Sequence, residues 1–398
     1  MPAVNPDILK WARETAGLSL GAAADKLDIV AVRNIPPSDR LAAYERGDKA
    51  PSRPLLLKMA KAYRRSLLTF YLNAPPRKGD RGEDFRSLPN QRTADEPLVD
   101  ALLRDIRARQ SMVRTLLEDE EEFTPLAFVG SMTIDAGVDH VLDSIQSTLN
   151  LNLATFRAQD SADRAFAYLR NQAEAAGIFV LLIGNLGSHH TNLDVSAFRG
   201  FALADPLAPF VVINDQDAKS AWAFTLLHEI AHLWVGASGV SGSWGGGQLE
   251  RFCNAVASSF LLPNDELASL SIDPRSDREI VIQRINEFAH PRFLSRSLVA
   301  YRLFQSGRIA EPIWENLNQH FRKEWRQQRD SQRNRSRERV GGPDYYVVRR
   351  SKLGSALLRF VDRNLNDGAL TPTKAGKVLG VKPRSVVPLL SSLHQRIA

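Results

Sequence analysis

Cysteine is almost absent from the chain, since Cys253 is the single cysteine among 398 residues. One thiol cannot build an internal disulfide framework or a multi-cysteine metal site. Histidine and carboxylate side chains are therefore the ligands available to a metal ion. Cys253 lies within a helical apolar pattern, which predicts a small buried core residue rather than a ligand or a redox group.

Long apolar runs are missing as well. No segment approaches the roughly eighteen consecutive apolar residues that a membrane-spanning helix needs. The first residues, Met1 to Asp7, lack the basic and then apolar pattern of a secretion signal. We therefore expect a cytoplasmic protein with no membrane partner.

Positive charge exceeds negative charge only modestly, with a formal net charge of +7. Residues 322–339 hold eight basic and three acidic side chains, so this run alone accounts for a net +5. A charge run of this kind is typical of a solvated helix or linker, which is the interpretation we favour. The alternative is a patch that contacts nucleic-acid phosphates.

The motif HExxH occurs once, as His228, Glu229 and His232 in an apolar stretch of helical spacing from Thr225 to Trp234. Positions i and i+4 share one face of a helix, so both imidazoles can reach one zinc ion. The glutamate between them then lies beside the open coordination position, where a hydrolytic water binds.

Catalytic zinc needs a third protein ligand in addition to the two histidines. A glycine- and serine-rich turn, 236–247, follows the motif, and a second helical pattern begins near Gln248. Glu250 lies 18 residues after His232, a spacing that lets a returning antiparallel helix present a carboxylate to the metal. Asn254, one turn later, is predicted to support the ligands from the second helix. The alternative for Glu250 is a surface carboxylate that the helix dipole favours in a first turn.

These motifs resemble a known family. FTLLHEIAHLW, the glycine-rich turn and ERFCNAVASSFLLP look like the ImmA/IrrE metallopeptidases, and the upstream FRGFALADPLAPFVVIND fits the sheet of that family. The resemblance runs from about residue 8 to residue 300. It implies that His228, His232 and Glu250 bind the metal, that Glu229 is the catalytic glutamate, and that the substrate is a repressor.

The N-terminal 75 residues resemble the XRE-type helix-turn-helix module that often accompanies this peptidase. The resemblance is carried by LSLGAAADKLDI, by SDRLAAYERGDKAPS and by LLLKMAKAYRRSLLTFYL. Ser19 and Ser38 are predicted N-caps. The linker from Asp28 to Pro37 is longer than the turn of that family, which leaves open whether the third helix is oriented to enter a DNA groove. Ser38 and Arg40 are the candidates for DNA contact, and a structural or protein-docking role is the alternative.

Three short β-rich runs precede the motif, at Ile178–Gly184, Phe198–Ala204 and Phe210–Asn214, and they predict a small sheet packed on the HExxH helix. In zinc peptidases of this plan an edge strand accepts the substrate backbone, and Phe198–Ala204 is our candidate. His189 and His190 occupy a loop, where such a pair is more typical of a solvated turn than of a ligand set.

The sequence thus predicts a mostly helical α+β protein in five parts. These are a helix-turn-helix domain (1–75), a linker (76–95), a zincin-like metallopeptidase domain (96–320), a basic helix or linker (321–344) and a C-terminal helical domain (345–398). For the last of these a second helix-turn-helix and a compact helical cap on the peptidase both fit the pattern.

The function predicted from these features is a zinc-dependent endopeptidase that cleaves a regulatory protein, a transcriptional repressor in the family's manner. Zn²⁺ lowers the pKa of its bound water and Glu229 removes the proton as general base. The main alternative is a DNA-binding transcriptional regulator whose metal site is structural or sensory. A toxin with the same peptidase site and another target is a third interpretation.

Overall fold

The computed structural model describes residues 3–76, 95–120, 124–187, 191–241, 247–273, 277–338 and 344–394. These residues form two units, one made of residues 3–76 with 95–105, the other beginning at residue 106. None of the helices in the described ranges is both long enough and apolar enough to cross a membrane.

Short helical segments make up the N-terminal unit around a core that includes Ile8, Leu41 and Met59. They are α1 (Pro6–Thr15), α2 (Leu20–Lys26), α3 (Pro37–Glu45), α4 (Arg53–Tyr63), a 3₁₀ segment (Leu67–Tyr71) and the first part of α5 (Glu96–Glu118). The buried guanidinium of Arg13 on α1 pairs with Glu45 on α3, with Nε–Oε1 at 2.7 Å. The helix-turn-helix assignment of this unit stays a prediction.

One of the two predicted N-caps in this unit is confirmed. The Ser19 hydroxyl accepts a hydrogen bond from the backbone N–H of Ala22 at 3.2 Å, so it caps α2. The prediction for Ser38 is wrong, because α3 begins one residue earlier at Pro37. Proline suits the first helical position, since its fixed φ is helical and its missing N–H has no partner there in any case.

A four-stranded mixed sheet lies in the second unit, formed by β1 (Phe179–Leu182), β2 (Gly200–Leu203), β3 (Phe210–Ile213) and β4 (Gly239–Ser241). The strand order is β1-β3-β2-β4, with β1 parallel to β3 and the other two pairs antiparallel. The first three strands are wholly buried, which explains their unbroken apolar sequences. Helix α9 (Lys219–Trp234) packs on β2 and β3. The predicted fold class, mostly helical α+β with a small sheet on the HExxH helix, is confirmed.

The prediction that the strand around Phe198–Ala204 offers a free edge to a substrate is wrong. Strand β2 begins at Gly200 and is paired on both sides, with β3 on one side and β4 on the other. The reason lies in the chain after α9, which turns at Gly236 (φ +69°) and returns beside β2. Gly200 pairs with Ser241 in this register. On this side of the sheet the outermost described strand is therefore β4.

Further helices of the second unit share one hydrophobic core with α9 and the sheet. They are α6 (Val138–Thr148), α7 (Leu153–Arg157), α8 (Ala162–Ala175), α10 (Gln248–Leu261), α11 (Asn264–Ala268), α12 (Arg278–Ala289), α13 (Arg296–Gln305) and α14 (Glu311–Glu338). Trp234 fixes the end of α9, because its ring stacks on Phe128 at 4.4 Å and its indole N–H donates to Ser144 at 3.0 Å. The basic run is helical through Glu338.

Four C-terminal helices follow, of which the first two pack on α8 and β1 and the last two pack on the first two. They are α15 (Tyr345–Leu353), α16 (Ser355–Asn366), α17 (Pro372–Leu379) and α18 (Val386–His394). A buried ion pair on α8 holds α15 and α16, with Arg170 Nε and Glu174 Oε1 at 2.9 Å. Arg170 also donates to the backbone carbonyl of Ser351, and Glu174 accepts from the backbone N–H and the hydroxyl of Ser355, at 2.9 and 2.6 Å.

We expect Glu174→Ala to lower the free energy of unfolding by about 3–5 kcal/mol, because it leaves Arg170 buried without its counter-charge and removes the cap of α16. The matched control is Glu118→Ala, which removes the partner of Arg114 in an i,i+4 pair whose two side chains are 43% and 44% exposed. That change should cost less than about 1 kcal/mol. Urea unfolding of both variants measures the difference, and equal losses would contradict the role given to Glu174.

Candidate metal centre

Helix α9 presents the two motif histidines from one face. The helix is buried along most of its length, consistent with its nearly continuous apolar sequence. His228 and His232 are one turn apart, and their Nε2 atoms lie 3.1 Å from each other. Both rings are almost fully buried, at 4% and 1% exposure. The i,i+4 spacing of the sequence thus gives two converging nitrogen donors.

Glu250 reaches the same point from the first turn of α10. Its Oε2 lies 3.3 Å from His228 Nε2, and its Oε1 lies 3.1 Å from His232 Nε2. The carboxylate is buried, with the residue at 5% exposure. This geometry excludes the alternative that Glu250 is a surface carboxylate.

The three side chains have the chemistry and the spacing of a metal-binding set. One potential ligand atom from each lies within 4.8 Å of the others. Ligands held tetrahedrally around zinc at 2.0–2.1 Å lie about 3.3 Å from one another. The observed separations of 3.1–3.3 Å match that value. Two imidazoles and one carboxylate, with a further position left open, are a common catalytic zinc set.

The electrostatics of the site couple these groups. Burial acts to raise the pKa of Glu250, but hydrogen bonds from His228 and His232 outweigh it and lower that pKa to about 2. Burial alone would lower the pKa of His228, but Glu250 and Glu229 raise it by more, so this pKa lies above its usual value. For His232 burial prevails and the pKa is lowered. The carboxylate is therefore charged at neutral pH, as a metal ligand must be.

Two further side chains complete the site. Asn254, one turn along α10 from Glu250, lies beside His228 and raises the pKa of its imidazole. Glu229 is 0% exposed and packs against β2 at Gly200. A Cβ at Gly200 would lie 2.7 Å from Glu229 Oε1 and 2.7 Å from Thr225 Cγ2, so only glycine leaves room for the carboxylate there.

Residues 185–304 match the family model described as the IrrE N-terminal-like domain, of peptidase family M78. This part of the chain is an IrrE N-terminal-like domain. It includes β2, β3, α9 and α10 and therefore His228, Glu229, His232, Glu250 and Asn254. No curated protein and no solved structure matches the chain.

Outside the IrrE N-terminal-like domain, the two candidate DNA-contacting residues lie at the start of α3. Arg40 donates a hydrogen bond to the backbone carbonyl of Val30, in the linker before α3. The Ser38 hydroxyl lies 3.4 Å from Asp39 Oδ1. Arg40 thus already has a partner within its own unit, and DNA contact by either residue stays a prediction.

Two other predictions concern residues of the domain itself. Cys253 is buried in the core, as predicted. His189 and His190 lie outside the described residues.

The sequence predictions do not include Gly200 among the site residues. A glycine inside the apolar strand FRGFALA is nevertheless a usable signal, because glycine within a strand often marks a close approach of another group.

Proposed function

We propose that the IrrE N-terminal-like domain of this chain is a zinc-dependent endopeptidase. The observation that carries the proposal is the buried set of His228, His232 and Glu250, with Glu229 on the same helix as the histidines. Zinc is typical of the M78 family. When bound, it supplies Lewis acidity and lowers the pKa of a coordinated water toward neutrality.

The chain's own residues supply the proton transfers and the alignment. Glu229 accepts a proton from the attacking water and returns it to the departing amine, the role of a general base that becomes a general acid. Gly200 gives its carboxylate room beside β2. Asn254 lies beside the imidazole of His228, and polar neighbours of this kind support metal-binding histidines.

We propose a regulatory protein, specifically a transcriptional repressor, as the substrate. The support for this is the resemblance of the sequence to the ImmA/IrrE family, whose members act on such proteins. In the same proposal the N-terminal unit directs the peptidase to its target or to DNA. The test is whether cells accumulate one intact regulator when Glu229 is replaced.

Removal of the metal tests the proposal in the purified protein. We expect one zinc per chain by elemental analysis. At free zinc a thousandfold above its dissociation constant, binding stabilises the fold by about 4 kcal/mol. A strong chelator should therefore lower the melting temperature and abolish hydrolysis, and added zinc should restore both. Protein that lacks stoichiometric zinc and melts identically with and without chelator would contradict the proposal.

We expect Gly200→Ala to reduce peptide hydrolysis by about tenfold or more while zinc content stays at one per chain. The added methyl group must displace the carboxylate of Glu229 or the methyl group of Thr225, and overpacking of this kind also costs about 1–3 kcal/mol of stability. Steady-state kinetics and elemental analysis measure the two effects separately.

Gly247→Ala is the matched control for Gly200→Ala. A Cβ at Gly247 meets no atom within 4 Å in the described structure, and its φ of −58° suits any residue. The control should retain full activity. Gly200→Ala with unchanged activity would contradict the role given to the Gly200–Glu229 contact.

A further inference from the structure

A cavity of about 270 Å³ lies at the start of α9. Its walls come from the segment before β2, the first turn of α9, the start of α13 and the middle of α14. Six charged side chains line it, namely Asp194, Arg199, Asp217, Arg296, Arg322 and Arg326. Hydroxyl groups from Ser196, Ser220 and Ser297 are also part of the lining.

The charges of this cavity do not balance. Four arginines and two aspartates line it, and with Glu324, the partner of Arg296, the net charge is +1. Arg199 pairs with Asp217 at 3.1 Å, and Arg296 pairs with Glu324 at 2.7 Å. Arg322 and Arg326 then lie close enough together for each to disfavour the other's charge.

Arg322 is the central group. Its Nε is buried and has no hydrogen-bond partner among the residues that the structure describes. Burial lowers its pKa, and the neighbouring charges of Arg199 and Arg326 lower it further, against a smaller opposite effect of Asp217. A buried N–H without an acceptor is costly, and a guanidinium with two guanidinium neighbours gains from an anion.

Two helix N-termini add to this positive potential. Helix α9 begins at Lys219 without a side-chain cap, and α13 begins at Arg296. Residues from the first turn of each helix line the cavity. The partial positive charge of a helix N-terminus favours anions, so the helices and the arginines act in the same direction.

We propose that this cavity binds a small phosphate-bearing molecule. A phosphate group carries a charge of about −1.5 to −2 at pH 7 and three acceptor oxygens, so it attracts neighbouring guanidinium groups more strongly than a single carboxylate does. Guanidinium groups recognise phosphate through paired hydrogen bonds. The cavity volume accommodates a compact body such as a sugar.

The aromatic side chains of the lining argue against a stacked nucleobase. The guanidinium of Arg296 lies 4.6 Å from the ring centre of Phe321, and that of Arg329 lies 5.2 Å from the ring centre of Trp325. One face of each ring is thus covered by an arginine. The ligand that fits is a phosphate ester with a small polar body.

This site is separate from the metal centre and does not depend on the proposed peptidase activity. Ala221, in the cavity wall, precedes His228 by seven residues on the same helix. A rise of 1.5 Å per residue places them about 10 Å apart along α9.

Isothermal titration of the full-length protein with inorganic phosphate and with ribose 5-phosphate, at constant ionic strength, tests the proposal. We expect both to bind the wild type, and ribose itself not to bind. Arg322→Gln should weaken phosphate binding at least tenfold. Arg359→Gln, which removes one exposed arginine from α16, should leave it unchanged.

Circular dichroism checks that Arg322→Gln is folded. If it is not, Arg326→Gln replaces it as the test variant. The Arg326 side chain is exposed, so its loss should leave the fold intact while the affinity for phosphate falls at least threefold. Absence of phosphate binding by the wild type would overturn the proposal. Equal binding by the wild type and the folded cavity variant would overturn it as well.

Discussion

Glu229→Gln should reduce peptide hydrolysis about 10³-fold while zinc content stays at one per chain. A positioned general base contributes about 10²–10⁴ to the rate, and the amide keeps the shape of the carboxylate without its basicity. The side chain is fully buried beside Gly200, so the substitution changes chemistry rather than accessibility. A peptide library incubated with each purified variant, with products quantified by mass spectrometry, measures the loss.

The control for this variant is Glu279→Gln. Glu279 lies in the first turn of α12 and is exposed, so the same chemical change there should leave hydrolysis at the wild-type rate. A Glu229→Gln protein that holds zinc and still cleaves at more than a tenth of the wild-type rate would remove Glu229 from the mechanism.

Glu250→Ala should weaken zinc binding more than about 100-fold and abolish hydrolysis with it. Loss of a residue that merely supports a ligand costs 10–100-fold in metal affinity, and a ligand itself should cost more. The variant also leaves His228 and His232 buried without the carboxylate that both now contact. Competition with a chromophoric chelator measures the affinity, and elemental analysis after desalting measures the retained metal.

Glu279→Ala is the control for Glu250→Ala, since both glutamates lie in the first turn of a helix and only Glu250 is buried. It should bind zinc as the wild type does. Full zinc occupancy in Glu250→Ala, at the affinity of the control, would show that the third ligand is another residue.

The chemistry of the site could be predicted from the sequence because it depends on local spacing. His228 and His232 share a helix face by the geometry of any α-helix. The role of Glu250 is harder to predict from the sequence. Whether its carboxylate reaches the two histidines depends on the path of the turn between α9 and α10, which local spacing does not specify. The 18-residue spacing gave a candidate, and the structure places its carboxylate 3.1–3.3 Å from both imidazoles.

The packing around the site could not be predicted in the same way. The pairing of β4 with β2 depends on how the chain returns after α9, and three residues, Gly239–Ser241, carry little strand signal of their own. The contact between Gly200 and Glu229 joins β2 to α9, and the spacing of apolar residues in the sequence does not predict which residues of the two elements meet. Long-range contacts of this kind are set by tertiary packing.

The attachment of the C-terminal helices illustrates the same limit. The sequence left a second helix-turn-helix and a cap on the peptidase as equal alternatives. The contacts of Arg170 and Glu174 with residues 351–356 hold α15 and α16 on α8 and β1. An arginine and a glutamate four residues apart are common on exposed helices, so nothing local indicates that this pair is buried.

We propose that this chain cuts another protein at a metal site in which Glu229 is the base. The most direct measurement compares cells that express the wild type with cells that express Glu229→Gln, using mass spectrometry of intact proteins and of new N-termini. We expect at least one regulator to accumulate intact only in the variant cells, with its fragments present only in the wild-type cells. Identical protein and N-terminus profiles in the two strains, with both proteins fully loaded with zinc, would contradict it.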